Sequence, residues 1–220
     1  IKHLSVRDYL HKYLHVSSPE VYGSCEGNVT EESQMFPSTP YAASKAAADM
    51  LLKTFADHTN FPLLTVRATN VYGARQQLFK IIVRACIYIR LGRKIQLHGG
   101  GQAAKSFIHI RDVSKGELAI LERGGVGEIY HLSPDTSIKV REVVRLIADC
   151  MGTTLPAVSE DTVDRLGQDA TYEIDSSKAR SELDWKPETS LNQGVKEVVE
   201  WVDKNWDQIK RMPHEYIHKP

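Results

Sequence analysis

Short apolar runs alternate along this chain with longer segments whose apolar residues recur at helical spacing. KYLHVSS (12–18) has the length and composition of a short buried strand. SCEGNVTEESQMFPSTP (24–40) is polar and rich in turn formers, which predicts a long loop. YAASKAAADMLLKTFADH (41–58) contains no helix breaker; Pro40 suits a first helical turn, and Ser38 and Thr39 are candidate caps. Further strands are expected at 63–67, 94–98, 106–110 and 128–132. Helices are expected at 78–90 (ended by Gly92), at 112–123, from a cap at Ser137 through 151, at 176–183 and at 191–206. Residues 152–175 read as mixed and loop-rich. This alternation predicts an α/β fold, with a parallel layer first and a smaller, interleaved α/β lid later. In such sheets a ligand sits in the crevice outside the carboxyl ends of the strands.

Composition narrows the class. The 220 residues suffice for one large domain or two small ones, and 41% hydrophobic with 25% charged residues is ordinary for a globular protein. Twenty-eight basic residues balance 28 acidic ones, so charge offers no argument for a nucleic-acid or membrane partner. No apolar run reaches the roughly 18–20 residues that span a bilayer, and the start, IKHLSVRDYLHKY, lacks a signal-peptide pattern. Cys25, Cys86 and Cys150 fit no zinc or redox spacing, and the expectation is reduced, mostly buried thiols in a cytoplasmic protein. The nine histidines show no H-x-x-H spacing, and no metal site is expected.

Tyr41 and Lys45 stand four residues apart on the predicted helix and share a face. An ammonium a few ångströms from a phenol favours the phenolate, which turns a tyrosine into a usable general base. Ser18, at the end of the first strand, is placed to share a substrate oxygen with it. No G-x-G-x-x-G follows a strand; the triplet Gly99–Gly101 leads into another strand, so it is not the pyrophosphate-binding turn of a dinucleotide enzyme.

The run SSPEVYG, then PSTPYAASKAAAD, then RATNVYG resembles, in order and spacing, the extended short-chain dehydrogenase/reductase superfamily in its nucleotide-sugar epimerase/dehydratase branch. Within that branch the chain looks most like dTDP-glucose 4,6-dehydratase-like enzymes, from His15 to about Trp201. The resemblance implies the C-terminal part of a Rossmann-type doubly wound parallel sheet plus a smaller mixed α/β substrate-binding domain. Residues 1–75 would be the remainder of the NAD-binding domain and 76–220 mainly the substrate domain, interleaved around 106–132. It also implies a glycine-fingerprint segment of about a hundred residues before Ile1. Without that segment, no independent NAD binding and little activity are expected of the 220 residues alone.

By the same resemblance Tyr41 is the base that takes the proton of the sugar 4-hydroxyl while NAD takes the C4 hydride. Lys45 holds the nicotinamide ribose, Ser18 completes the triad, and Ser17 lies on the cofactor side with Tyr41 and Lys45. Glu20 matches the glutamate that removes the C5 proton once C4 is a ketone. Pro19 departs from the aspartate usual there and cannot donate a proton; Glu20 does both jobs, a water helps, or the reaction is not a standard dehydration. Asn70 in TNVYG matches a sugar-diphosphate contact, or is a turn residue. Lys105, in GGGQAAKSF, stands where the family has an arginine, replacing a fork by a point charge. Arg165, in DRLGQD, matches an arginine that reaches the diphosphate, and Lys80 is either a substrate contact or an outer-face charge. In KARSELDWKP, Trp185 is expected to pack the small domain, with Trp201 and Trp206 in the apolar stripe of the last helix.

The expected activity is that of a lyase, an NAD-dependent nucleotide-sugar 4,6-dehydratase. A 4-epimerase or a UDP-glucuronate decarboxylase on the same scaffold is the alternative, and a non-catalytic sugar-nucleotide-binding protein is the reading of another class. A 4-epimerase does not need Glu20, and a decarboxylase should carry a basic residue for the substrate carboxylate. The partners implied are a nucleotide-activated sugar and a second copy packed through the Tyr41–Lys45 helix, with no nucleic acid, membrane or metal.

Overall fold

A computed structural model of the chain describes residues 1–24, 28–163 and 173–215. β1 (Tyr13–Val16) leads into a 3-10 turn (Pro19–Tyr22) and the short β2 (Asn28–Val29). Then come α1 (Pro40–Thr59), β3 (Leu63–Ala68), β4 (Asn70–Tyr72), α2 (Ile81–Arg90) and β5 (Ile95–His98). A glycine turn leads to β6 (Ala104–Lys105), β7 (Phe107–His109), α3 (Ile110–Arg123) and β8 (Ile129–Leu132). The remainder holds β9 (Ile138–Lys139), α4 (Val140–Cys150), α5 (Leu155–Val158), β10 (Ser159–Thr162), β11 (Glu173–Ile174), α6 (Ser177–Leu183), α7 (Leu191–Lys204) and α8 (Trp206–Ile209).

The expected parallel α/β layer is present. β3 lies between β1 and β8, parallel to both, with Tyr13 opposite Leu63 and Thr65 opposite Ile129. Every residue of β3 from Leu63 to Arg67 is buried. Both faces are therefore covered, which is why the strand reads as a continuous rather than an alternating apolar run. On one face Val66, Tyr130 and Leu132 pack with Val113 and Ile120 of α3 and with Leu183. Leu52 of α1 packs with Phe61 and Leu63 in a separate cluster. A larger core joins α2, α4 and α7 with β5, through Ile82, Ile87, Leu97, Val144, Ile147, Val198 and Val202. Parallel pairs β4–β7, β5–β10 and β2–β11 tie loops to these two bodies.

The caps explain the helix that matters most. The Thr39 hydroxyl accepts the Ala42 amide at 3.1 Å, Pro40 occupies the first turn, and Asn60 closes α1 in the left-handed conformation at φ 53°. Three expectations need correction. Ser137 does not cap α4: residues 138–139 are extended and pair with β6, so the helix begins only at Val140, and the Ser137 hydroxyl donates to Glu173 instead. α2 begins at Ile81 rather than 78, because the Lys80 amide closes a turn onto the Gln77 carbonyl. Trp185 packs on the β3–β8 core rather than on the helical core of α2, α4 and α7, with its indole N–H donating to the Asp112 carbonyl at 2.9 Å. Trp201 and Trp206 do flank the helical core. Cys86 is buried and Cys150 partly so, both unpaired, while Cys25 lies outside the described residues. Among the described residues no helix is long and apolar enough to cross a membrane.

Gly194 of α7 lies directly against Tyr72 of β4. Any Cβ there would fall on the hydroxyl of Tyr72, which is 2% exposed and has no hydrogen-bond partner among the described residues. Gly194→Ala should therefore lower the unfolding free energy by about 1–3 kcal/mol despite alanine's better helix propensity, and Tyr72→Phe should restore only part of that loss, because two Tyr72 ring carbons also lie 2.8 Å from the added Cβ. Urea unfolding of both single variants and the double variant checks this; a neutral Gly194→Ala would mean that the contact relaxes freely.

Candidate active site

A cavity of about 500 Å³ opens where β1 and β3 end. Ser17 and Ser18 reach it from the end of β1, Glu20 from the 3-10 turn, Tyr41 from the first turn of α1, and Asn70 and Lys80 from the segment between β3 and α2. Extended backbone at Ser18 lets its hydroxyl accept the Glu20 amide at 3.3 Å, which turns the chain into the segment that carries Glu20. Lys45 lies one turn beyond Tyr41, and its Nζ donates to the Val16 carbonyl at 2.8 Å. The helix is thereby tied to the carboxyl end of the strand it faces.

Not every predicted residue meets in this cavity. Ser17 lines it, but its hydroxyl donates to the buried Asp49 at 2.7 Å. Lys105 lines an adjoining cavity of about 200 Å³ with Arg84 and His98, and Asn70, Ile81 and Phe107 line both spaces. Asn70 donates to the Ser106 carbonyl at 3.0 Å, which fixes it at the junction. Arg165 lies outside the described residues. A larger, mostly apolar groove of about 930 Å³ runs between Gly73–Phe79 and the last helices, and it contains none of the candidate catalytic groups.

Sequence reading missed the polar network beneath the cavity. Asp49 accepts from Ser17, from Arg67 at 2.8 Å and from His15 at 2.9 Å. Burial alone would raise its carboxyl; the hydrogen bonds from His15, Ser17 and Arg67 and the Arg67 charge outweigh that and hold it below the usual aspartate range. Arg67 also donates to the Tyr22 hydroxyl, which in turn faces His131 Nε2 at 2.7 Å, and His131 Nδ1 donates to the Asp175 carbonyl at 3.0 Å. The available signal was a single arginine inside the apolar run LLTVRA, and an aspartate one turn past Lys45 on an alanine-rich face.

His131 must be neutral to accept at Nε2. Burial, then the nearby Arg67 charge, push its imidazole down to about 4. Its ordinary value is near 6.5, so below that the unfolded chain binds a proton that the folded chain refuses. Folding stability should then fall as pH drops from about 6.5 towards 4, by up to roughly 3 kcal/mol. Urea unfolding across that range in wild type and His131→Gln checks this, because the variant should lack this part of the slope. Parallel curves would remove His131 as its source.

A family model described as GDP-mannose 4,6 dehydratase matches residues 1–198. The dTDP-D-glucose 4,6-dehydratase of Mus musculus is 34% identical over 90% of this chain and 58% of its own length. The dTDP-glucose 4,6-dehydratase of Streptomyces antibioticus is 30% identical over 91% of this chain and 61% of its own. The chain thus spans less than two thirds of the length of these relatives. Among solved structures, dTDP-glucose 4,6-dehydratase from Bacillus anthracis in complex with NAD superposes with a TM-score of 0.84 at 33% identity, over 90% of this chain and 63% of that one. The UDP-glucuronic acid 4-epimerase of Bacillus cereus shares the fold, with a TM-score of 0.84 at 23% identity over 88% of this chain and 62% of its own.

Proposed function

The chain belongs to the GDP-mannose 4,6 dehydratase family, and on that premise we propose that the complete protein is an NAD-dependent nucleotide-sugar 4,6-dehydratase, a lyase. The observation that carries this reading is the gathering of Tyr41, Ser18 and Glu20 around one cavity at the strand ends. Residues 1–75 then serve the cofactor and 76–220 mainly the sugar nucleotide, with 106–132 returning to the first body.

The residues present fit a dinucleotide. Val16 and the Tyr41 ring, each more than half exposed, give an apolar ledge at the end of β1 for a flat ring, and the Lys45 ammonium stands on the Val16 carbonyl. Tyr41, Lys45 and Ser17 would hold it. Bound there, NAD supplies a two-electron acceptor for the C4 hydride that can later be returned at C6.

Tyr41 takes the proton of the 4-hydroxyl, and Ser18 donates a hydrogen bond to the same oxygen. With C4 a ketone, the C5 proton becomes acidic and passes to the Glu20 carboxylate. The electrons of the C5–H bond form the C5–C6 double bond, and the C6 hydroxyl leaves. Pro19 has no proton to give, and Glu20 is the one carboxylate among the described lining residues. The carboxyl that receives the C5 proton therefore delivers it to the departing hydroxide as water. Asn70 and Lys80 hold the sugar diphosphate, and Lys105 neutralises it from the adjoining cavity as a point charge, joined by Arg165. The protein works in the cytoplasm as a homodimer packed through α1, whose Met50 and Leu51 are 59% and 73% exposed.

The complete protein with NAD is to be incubated with dTDP-, UDP-, GDP- and CDP-hexoses and UDP-glucuronate, and the products weighed by mass spectrometry. Loss of one water from one substrate is expected. Loss of carbon dioxide, or an unchanged mass at a new chromatographic position, would replace the dehydratase by a decarboxylase or an epimerase.

A further inference from the structure

Arg67 stands inside the apolar strand β3 and is 3% exposed, a position where an unpaired charge is very costly. Its partners lie on two separate parts of the site. Nη2 donates at 2.8 Å to Asp49, one turn beyond Lys45 on α1. Nη1 donates to the hydroxyl of Tyr22, which closes the 3-10 turn that carries Glu20. The arginine also lies over the Tyr22 ring, 4.8 Å from its centroid. Both partners are held from behind: Asp49 also binds Ser17 and His15 at the end of β1, and Tyr22 binds His131. Arg67 itself does not line the cavity.

A guanidinium is a rigid planar fork, so two acceptors bound to it are held at a fixed separation. We propose that Arg67, acting through Asp49 and Tyr22, is a positioning residue that sets the elimination carboxylate, Glu20, relative to the oxidation pair, Tyr41 and Lys45. This rests on the dehydratase reading of the site. Loosening the fork on the Tyr22 side leaves oxidation at C4 in place and slows the proton transfer from C5, because a misplacement on the order of 1 Å can cost about a hundredfold in rate.

Tyr22→Phe in the complete protein is the first test, since it keeps the ring and the Arg67–Asp49 pair. Loss of water should slow about tenfold or more, with KM within about threefold, and quenched reactions should contain more 4-keto sugar still hydroxylated at C6. Arg67→Lys keeps a charge for Asp49 without a fork for Tyr22, and should show the same split. An unchanged rate of water loss, equal slowing of both steps, or full activity with lysine would overturn the proposal. Hydrogen exchange supplies a readout without turnover. The Val21 and Gly23 amides, which bond to the Ser18 and Glu20 carbonyls, should exchange faster in Tyr22→Phe, while β3 is unchanged. Unaltered exchange in the turn would overturn the bridge whether or not the protein dehydrates a sugar. No water loss from any substrate with wild-type protein would instead sink the dehydratase reading, and the exchange result would then decide the bridge alone.

Discussion

Tyr41→Phe in the complete protein should slow oxidation at C4 by about 10²–10⁴-fold, the usual contribution of a positioned general base, and leave the fold unchanged. The two halves of that expectation have different origins. Tyr41 is 55% exposed at the mouth of the cavity, so its hydroxyl holds no buried neighbour in place. Its main-chain carbonyl accepts from the Ser44 hydroxyl at 2.7 Å, and this contact is indifferent to the side chain. Exposed substitutions of this kind usually change stability by within about 0.5 kcal/mol. Phenylalanine keeps the ring and loses only the proton acceptor. Turnover of the sugar nucleotide identified by mass, together with a thermal melt, makes the measurement. Wild-type turnover in a folded variant would take the base role away from Tyr41.

Gly23→Ala should do the reverse and act on the fold first. Gly23 ends the 3-10 turn with φ 67° and ψ −156°, a region that side-chain-bearing residues do not adopt without strain. A Cβ there would also fall on the main-chain oxygen of Phe36, which cannot swing away as a flexible side chain could. Strain and overpacking each cost about 1–3 kcal/mol, so the variant should lose roughly 2–6 kcal/mol, a large part of a domain's usual margin. Denaturant unfolding checks this. A loss below about 1 kcal/mol would show that the loop around Phe36 shifts without cost.

The parts of the molecule that could be read in the sequence are those set by local chemistry. Thr39, Pro40 and the following alanines announce α1, and with it the shared face of Tyr41 and Lys45, because capping and propensity act within a few residues. Ser137 misled for the complementary reason. A serine before an apolar helical segment looks like a cap, and only pairing with β6, more than thirty positions away in sequence, keeps residues 138–139 extended. β4 was unreadable because its three residues look like a turn, and their extended form depends on β7. Asp49 and Arg67 carry no local pattern; each is one charge in an apolar stretch, and their meaning appears only when α1 is laid across β3.

The order of strands in the sheet also bears on when in its folding the protein could work. Tyr13 pairs with Leu63 and Thr65 with Ile129, so each pairing closes a loop of about fifty residues or more, at an entropic cost that precedes any reward. Helices need no such closure and form within about a microsecond, whereas non-local parallel pairings set the slow time of α/β chains. The stretch bearing Tyr41 and Lys45 can thus take its helical shape while β1 and β3 are still apart. The cavity is made of their two ends. A chain caught midway would hold its reactive side chains in nearly the right local form with nothing yet for them to act upon.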